Sequence, residues 1–131
     1  MRARARRENG TYMHDLEIRV HHMTADEPEE TGGDDSGPSP QELLAASLAS
    51  CTAVTVEMYA KRKGWEIGDL EVDVNYEPAQ RGSPTKFQME VRMPKELPED
   101  QRERLMQIAA KCPVHRTLEG EVMFEETTEL V

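Results

Sequence analysis

Two cysteines are the side chains of this 131-residue chain best suited to chemistry. Cys51 lies among small residues in AASLASCTA, and Cys112 lies in AAKCPVH, directly before Pro113. Two cysteines so far apart are too few for the disulfide framework of a secreted protein, so each is a buried apolar side chain, a metal ligand or a redox thiol. Cys112 and His115 have a spacing that a metal could use, but one such pair without a second is a weak metal signal.

Two helices would position these cysteines. The first is predicted from Gln41 to about Lys63, with Ser39 as its N-cap, Pro40 in its first turn and Gly64 at its end. It is apolar on nearly all sides, which predicts a central buried helix. A second helix is predicted to open at Pro98 and to carry Cys112 at its C-terminal end, where Pro113 ends or kinks it.

Alternating apolar and polar residues predict the strands that would surround these helices. The predicted strands are Thr11–His22, Leu70–Tyr76, Phe87–Met93 and Glu121–Thr128. The second and third form an antiparallel hairpin, and the acidic segment Asp26–Asp35 is predicted to be a solvated loop. Because the helices are segregated from an antiparallel sheet, the order of elements predicts an α+β fold.

Length and charge narrow the class of protein. A chain of 131 residues predicts a single domain, with residues 1–10 as a flexible basic arm. The formal charge of −10 opposes binding to nucleic acid. The longest apolar run, Leu43–Val56, is predicted to be too short and too polar to span a bilayer, and no apolar signal stretch follows the arginine-rich start. The cytoplasm is therefore the expected location.

A family resemblance adds to this interpretation. The stretch GPSPQELLAASLASCTAVTVEMYAKRKGW, from Gly37 to Trp65, and the later AAKCPVHRTL resemble the osmotically inducible protein C (OsmC-like) family, which includes organic hydroperoxide resistance proteins. The chain is most similar to its OsmC-like redox branch. The resemblance implies an intertwined homodimer with two helices per subunit at its centre, antiparallel sheets outside and an active site at the subunit interface.

The resemblance also implies roles for the two cysteines. Cys51 would attack a hydroperoxide and become a sulfenic acid, and Cys112 would resolve it as a disulfide before further oxidation. Organic hydroperoxides would be the substrates, and a dithiol or a lipoylated protein would be the reductant. No cofactor and no metal ion is implied.

The sequence departs from the peroxidase pattern at two positions. The peroxidase branches place an activating arginine before the central helix, yet no Arg or Lys occurs between Val20 and Ala60. They also place a glutamate ten residues before the first cysteine, where this chain has Gln41; Glu42 points to the opposite side of the helix from Cys51. A replacement cation could come from the partner subunit's N-terminal arginines or from one of four residues, namely Arg19, Lys111, His115 and Arg116.

Two functions follow from these residues. The first is a thiol-dependent hydroperoxide reductase, or a related two-cysteine redox protein, in oxidative stress defence. The alternative is a non-catalytic dimeric module that binds an apolar small molecule at the subunit interface. Its candidate lining is formed by methionines, namely Met58, Met89, Met93, Met106 and Met123.

Overall fold

The computed structural model describes all 131 residues and contains five strands and three α-helices. The strands are β1 (Arg4–Arg7), β2 (His14–Ile18), β3 (His21–Ala25), β4 (Glu71–Glu77) and β5 (Lys86–Arg92). The helices are α1 (Pro40–Lys63), α2 (Glu99–Ala109) and α3 (Pro113–Glu119). The α+β class predicted from the sequence is confirmed.

Two compact units make up the chain. One contains residues 1–46 and 75–88, and the other contains residues 47–74 and 89–131. A three-stranded antiparallel sheet of order β1-β2-β3 lies in the first unit, and β4 pairs with β5 in a separate two-stranded sheet. The single-domain assignment stays a prediction.

The N-terminal sheet corrects two predictions. The predicted strand Thr11–His22 is a hairpin, because the chain turns at Arg19, whose φ of 56° is left-handed, and β3 returns along β2. The predicted basic arm is wrong for Arg4–Arg7, which pair with β2 so that Arg4 lies opposite Glu17 and Arg6 opposite Asp15. Opposite charges in facing positions stabilise a strand pair, and this explains how so basic a segment joins the sheet.

The acidic loop is anchored by one of its own carboxylates. Asp26 is only 1% exposed, and its carboxylate accepts the N–H groups of Ser36 at 3.0 Å and Glu27 at 2.8 Å. These hydrogen bonds, that of Ser36 above all, lower the pKa of Asp26 below 3.8 although burial opposes them. The loop is therefore closed around a structural aspartate rather than uniformly solvated.

Helix α1 begins with a reciprocal cap and ends at Gly64. The hydroxyl of Ser39 accepts the N–H of Glu42 at 3.1 Å, and the Glu42 carboxylate accepts the N–H of Ser39 at 2.9 Å. This is a capping box, which satisfies two N–H groups that a helix start leaves free. Gly64 follows with a left-handed φ of 72°. The predicted helix from Gln41 to Lys63 is confirmed.

By length and composition alone, α1 could cross a membrane. Its 24 residues include an 18-residue window of mean hydropathy 1.4, so the argument that the apolar run is too short fails for the whole helix. A core helix passes the same test, and one such helix is weak evidence for a membrane span.

The core of the second unit forms where α1 packs against α2. Its members are Val56, Tyr59, Ala60, Ile67, Leu97, Leu105, Ile108 and Ala109. Arg104 Nε donates to the Tyr59 hydroxyl at 3.0 Å, which joins the two helices at one polar point. This packing brings the end of α2 to the middle of α1.

The C-terminal part of the chain corrects two further predictions. The second helix ends at Ala109, and Pro113 opens a separate helix, α3, that the sequence did not predict. The predicted final strand Glu121–Thr128 has no strand structure in the chain, and Val122 and Phe124 are exposed. A strand requires a partner for its backbone hydrogen bonds, and no strand of the same chain pairs with this segment.

The capping box generates the first prediction. Ser39→Ala removes the hydroxyl that accepts the Glu42 N–H, so we expect the free energy of unfolding to fall by about 1 kcal/mol. Urea unfolding measures this loss. Ser83→Ala is the matched control, because Ser83 is exposed and only its backbone is bonded in the turn. Equal stabilities of the two variants would contradict the assignment.

Glu42 gives the same cap a pH dependence. Its pKa is held below 4.5, first by the Ser39 N–H, so its contribution is present above pH 4.5 and is lost as the pH falls through the folded-state value. Glu42→Gln should therefore reduce the loss of stability in this range.

Candidate thiol site

The two cysteines meet where α1 faces the junction between α2 and α3. Cys51 lies in the fourth turn of α1 and is partly buried, whereas Cys112 is 0% exposed. Both are free thiols, and the side chain of Cys112 is close enough to that of Cys51 to affect its pKa. The structure thus brings together the two residues that the sequence singled out, although they lie 61 positions apart.

Pro113 creates the junction that carries Cys112. A residue before proline is driven to extended backbone, and Cys112 has φ −61° and ψ 143°. Cys112 is therefore the N-cap of α3, with Pro113 in the first turn, rather than the last residue of α2. The prediction that Cys112 faces the negative end of a helix is wrong.

Two donors converge on the sulfur of Cys112. The backbone N–H of His115 donates to it at 3.2 Å, as expected for a residue three positions after an N-cap. The hydroxyl of Thr52, which is fully buried, lies 3.7 Å from the same sulfur. Thr52 also donates to the Leu48 carbonyl at the shorter distance of 2.8 Å, and its single hydroxyl proton can serve only one of these two contacts at a time.

The pKa of Cys51 is raised above its ordinary value of 9.0, first because burial disfavours the thiolate. The backbone N–H of Val114 and the side chain of Thr55 oppose this shift, since hydrogen bonds to the sulfur stabilise its charged form. The adjacent Cys112 thiol raises the pKa of Cys51 further. Cys51 is consequently a neutral thiol at pH 7.

None of the groups that most strongly shift the pKa of Cys51 is a cation. The backbone N–H of His115 donates to Cys112 rather than to Cys51, and its ring contacts the Ala110 carbonyl through Nδ1 at 2.7 Å and Glu119 through Nε2 at 3.2 Å. Arg19 contacts His21, and both Lys111 and Arg116 are exposed. The replacement cations proposed within this chain therefore find no support, and an arginine from a partner subunit stays a prediction.

Glu42 does not take the place of the glutamate that the peroxidase pattern has at the position of Gln41. Its carboxylate is used by the Ser39 cap, and the same hydrogen bonds lower its pKa. The capping box thus occupies the only acidic residue in the first turn of α1. Gln41 itself is exposed.

No group of three His, Cys, Asp or Glu side chains has an arrangement suited to a metal ion. Both ring nitrogens of His115 are occupied by oxygen atoms of the protein. The Cys112 and His115 pair therefore lacks further ligands, and the spacing of the two residues reflects the N-cap of α3.

Thr52 and the N–H groups of Val114 and His115 are parts of the site that the sequence did not reveal. Thr52 directly follows Cys51, but a threonine in an apolar helix is ordinarily bonded to its own helix. The N–H groups of Val114 and His115 are free because residues in the first turn of a helix have free N–H groups. They could not be predicted without knowing that a new helix begins at Pro113.

The chain is similar to known proteins in sequence and in fold. A family model described as OsmC-like protein matches residues 33–127. No curated protein matches the chain. The OsmC like protein of Mycoplasma pneumoniae has a similar structure, with a TM-score of 0.64 at 21% identity over 82% of this chain and 79% of that one.

Two structures of organic hydroperoxide resistance proteins are also similar. OhrB of Bacillus subtilis has a TM-score of 0.63 at 22% identity, with 91% of this chain and 90% of that one covered. The protein from Legionella pneumophila, also described as a predicted redox protein, has a TM-score of 0.62 at 21% identity, with 90% and 88% covered. At these identities the likeness shows the fold.

The raised pKa of Cys51 generates the second prediction. In the reduced protein, alkylation of Cys51 by iodoacetamide should have its midpoint above pH 9.0, because only the thiolate reacts. Peptide mass spectrometry across pH 6 to 11 measures this midpoint. A cysteine peptide, with a pKa of about 8.5, is the reference, and a midpoint for Cys51 at or below that reference would contradict the prediction.

Proposed function

The chain belongs to the OsmC-like protein family, and from this premise we propose that it reduces organic hydroperoxides through Cys51 and Cys112 in oxidative stress defence. The observation that carries the proposal is the contact between the two thiols. Adjacent thiols allow a sulfenic acid to be converted to a disulfide before it is oxidised further. The proteins of Bacillus subtilis and Legionella pneumophila that share this fold are named for organic hydroperoxide resistance.

The two cysteines differ in solvent exposure, and this difference indicates which of them reacts first. Cys51 is partly exposed, so a hydroperoxide can reach its sulfur, whereas Cys112 is fully buried behind it. Cys51 is accordingly the residue that is oxidised first. Cys112 is adjacent to it and is therefore the thiol that we propose to resolve the sulfenic acid.

The reaction balances as two successive displacements. The Cys51 thiolate attacks the terminal oxygen of ROOH, a sulfur–oxygen bond forms, the oxygen–oxygen bond breaks, and the alkoxide leaves as ROH after taking a proton. Cys112 then attacks the sulfenic sulfur, a disulfide forms, and the hydroxyl leaves as water. A dithiol or a lipoylated protein returns two electrons by thiol–disulfide exchange. We place this cycle in the cytoplasm, where such reductants keep cysteines reduced.

We propose that the functional form is a homodimer. The buried residues of α1 lie along one stripe, Leu48, Thr52, Val56, Tyr59 and Ala60. Elsewhere on the same helix Val54 is 50% exposed and Met58 is 68% exposed. Apolar surface of this kind on a central helix favours a second copy of the chain as its cover.

The chain termini support the same proposal. Phe124 is 81% exposed in a C-terminal segment that has the alternation of a strand but no partner, and this segment carries several glutamates. The edge strand β1 presents exposed arginines. Addition of the acidic segment of one copy to the basic sheet edge of another would pair both the backbones and the charges.

Thiol titration tests the proposed function. One equivalent of cumene hydroperoxide should consume both thiols of the reduced wild type, because a disulfide forms. Cys51→Ser should keep its remaining thiol, and Cys112→Ser should stop at a sulfenic acid that dimedone labels at Cys51. Survival of both wild-type thiols for an hour would overturn the proposal.

The alternative function, binding of an apolar small molecule, is favoured by a separate observation. A cavity of about 360 Å³ in the first unit is lined mostly by apolar groups, including Tyr12, Leu16 and Ala25. None of the methionines proposed as a lining contributes to it. Inert thiols together with saturable binding of an apolar fluorescent probe, weakened by Leu16→Asp, would support this function instead.

A substitution that introduces a charge on the exposed face of α1 tests whether the chain forms a homodimer. We expect light scattering to give a mass of twice 14.9 kDa for the wild type and 14.9 kDa for Met58→Glu, because an unpaired charge in an apolar interface is costly. Val20→Glu is the matched control, since Val20 is 82% exposed at the tip of the β2–β3 hairpin. A Met58→Glu variant that keeps the wild-type mass would show that this face is free.

A further inference from the structure

A groove lies between the end of β5 and helix α2, and it shares no residue with the thiol site. Its volume is about 480 Å³, which is within the range of pockets that bind small organic molecules. All of its lining residues belong to the second unit. They are Val91, Arg92, Met93, Pro94, Lys95, Arg102 and Met106. Three of them are cations and none is acidic, although the chain has 26 acidic and 16 basic residues. The lining therefore has the opposite charge to the protein as a whole.

The floor of the groove is apolar. Met93 is half-buried and packs against the core of the second unit, whereas Met106 is 45% exposed. Met106 lies four positions after Arg102, so the two side chains are neighbours on one face of α2. Methionine is flexible and polarisable, and it adapts to the shape of an apolar ligand. The groove thus places a cation beside an adaptable apolar surface.

Two of the three cations are available to a ligand. Arg92 already contacts three carboxylates of the β4–β5 hairpin. Lys95 and Arg102 are exposed, and neither forms an ion pair with a carboxylate of the chain. The planar guanidinium of an arginine matches a carboxylate with two parallel hydrogen bonds, and a lysine adds a second positive charge. The two free cations are therefore complementary to an anion from outside the chain.

We propose that this groove binds an amphipathic carboxylate. Arg102 and Lys95 hold its head group, and its apolar chain lies on Met93 and Met106. Two free cations match a head group of low charge, and the rest of the accessible lining offers apolar contact, which a polyanion cannot use. The inference goes beyond the proposed function and does not rest on it, because neither cysteine lines the groove.

The fluorescence of dansyl-undecanoic acid, a carboxylate on a long alkyl chain, tests the site in the full-length protein. We expect saturable binding of one probe per chain. The methyl ester of the same probe keeps the alkyl chain and loses the charge, so it should bind about tenfold more weakly. Added salt should weaken binding of the acid and leave binding of the ester unchanged, because salt screens exposed charges.

Substitutions in the groove separate the head-group site from the apolar floor. Arg102→Gln should weaken binding of the acid by about tenfold and leave the ester unaffected, because only the acid has a charge to lose. The Arg102 side chain makes no hydrogen bond or ion pair within the chain, so the fold does not depend on it. Arg81→Gln is the matched control, since Arg81 is exposed in the turn after β4 and does not line the groove. Met106→Gln should weaken the acid and the ester alike.

Three results would overturn the inference. The first is equal affinity for the acid and the ester, or an Arg102→Gln variant that binds the acid as tightly as Arg81→Gln does. The second is loss of binding in Leu16→Asp but not in Arg102→Gln, because the probe would then occupy the cavity of the first unit. The third is competition by acetate as effective as that by decanoate, because the alkyl chain would then contribute nothing.

The same probe distinguishes this inference from the proposed function. Cys51→Ser should bind dansyl-undecanoic acid as the wild type does, since Cys51 does not line the groove. Inert thiols together with binding that depends on Arg102 would overturn only the proposed function. Thiols that react with cumene hydroperoxide in a protein that does not bind the probe would overturn only the inference.

Discussion

The break between α2 and α3 is the constraint on which the thiol site depends. Pro113 cannot donate a backbone hydrogen bond, and it holds Cys112 in extended backbone. In a continuous helix, the N–H groups of Val114 and His115 would donate to carbonyls one turn back. At the start of a new helix these groups are free, and they donate to the sulfurs of Cys51 and Cys112 respectively. One proline therefore supplies both the position of Cys112 and the donors for the pair.

Burial without a neighbouring cation gives this pair its chemical character. The site lies in the part of α1 that packs against α2 and α3, and the chain as a whole has a charge of −10. Both factors disfavour a thiolate at Cys51, and the hydrogen bonds from the Val114 N–H and the Thr55 side chain oppose them only in part.

The sequence predicted the elements whose signals are local. The long helix α1, the β4–β5 strands and the start of α2 follow from periodicity, prolines and glycines. The two cysteines stood out by residue type, and the family resemblance added their roles. The hairpin at Arg19 was missed because no glycine or asparagine marks the turn and the apolar alternation continues through it. The strand β1 was missed because its arginines are stabilised by acidic residues on β2, a contact between strands that no local pattern contains.

The site itself was predictable only in part, and the missing part decides its chemistry. The sequence showed that Gln41 and the absence of any Arg or Lys from Val20 to Ala60 remove the usual activating pair. It did not show that Glu42 is used by the Ser39 cap. With that carboxylate committed, an arginine placed near this end of α1 would have no anchor, so restoring the cation alone would not restore the family arrangement. The remaining source of activation is a cation from a second copy, which would act by its charge and weaken with salt.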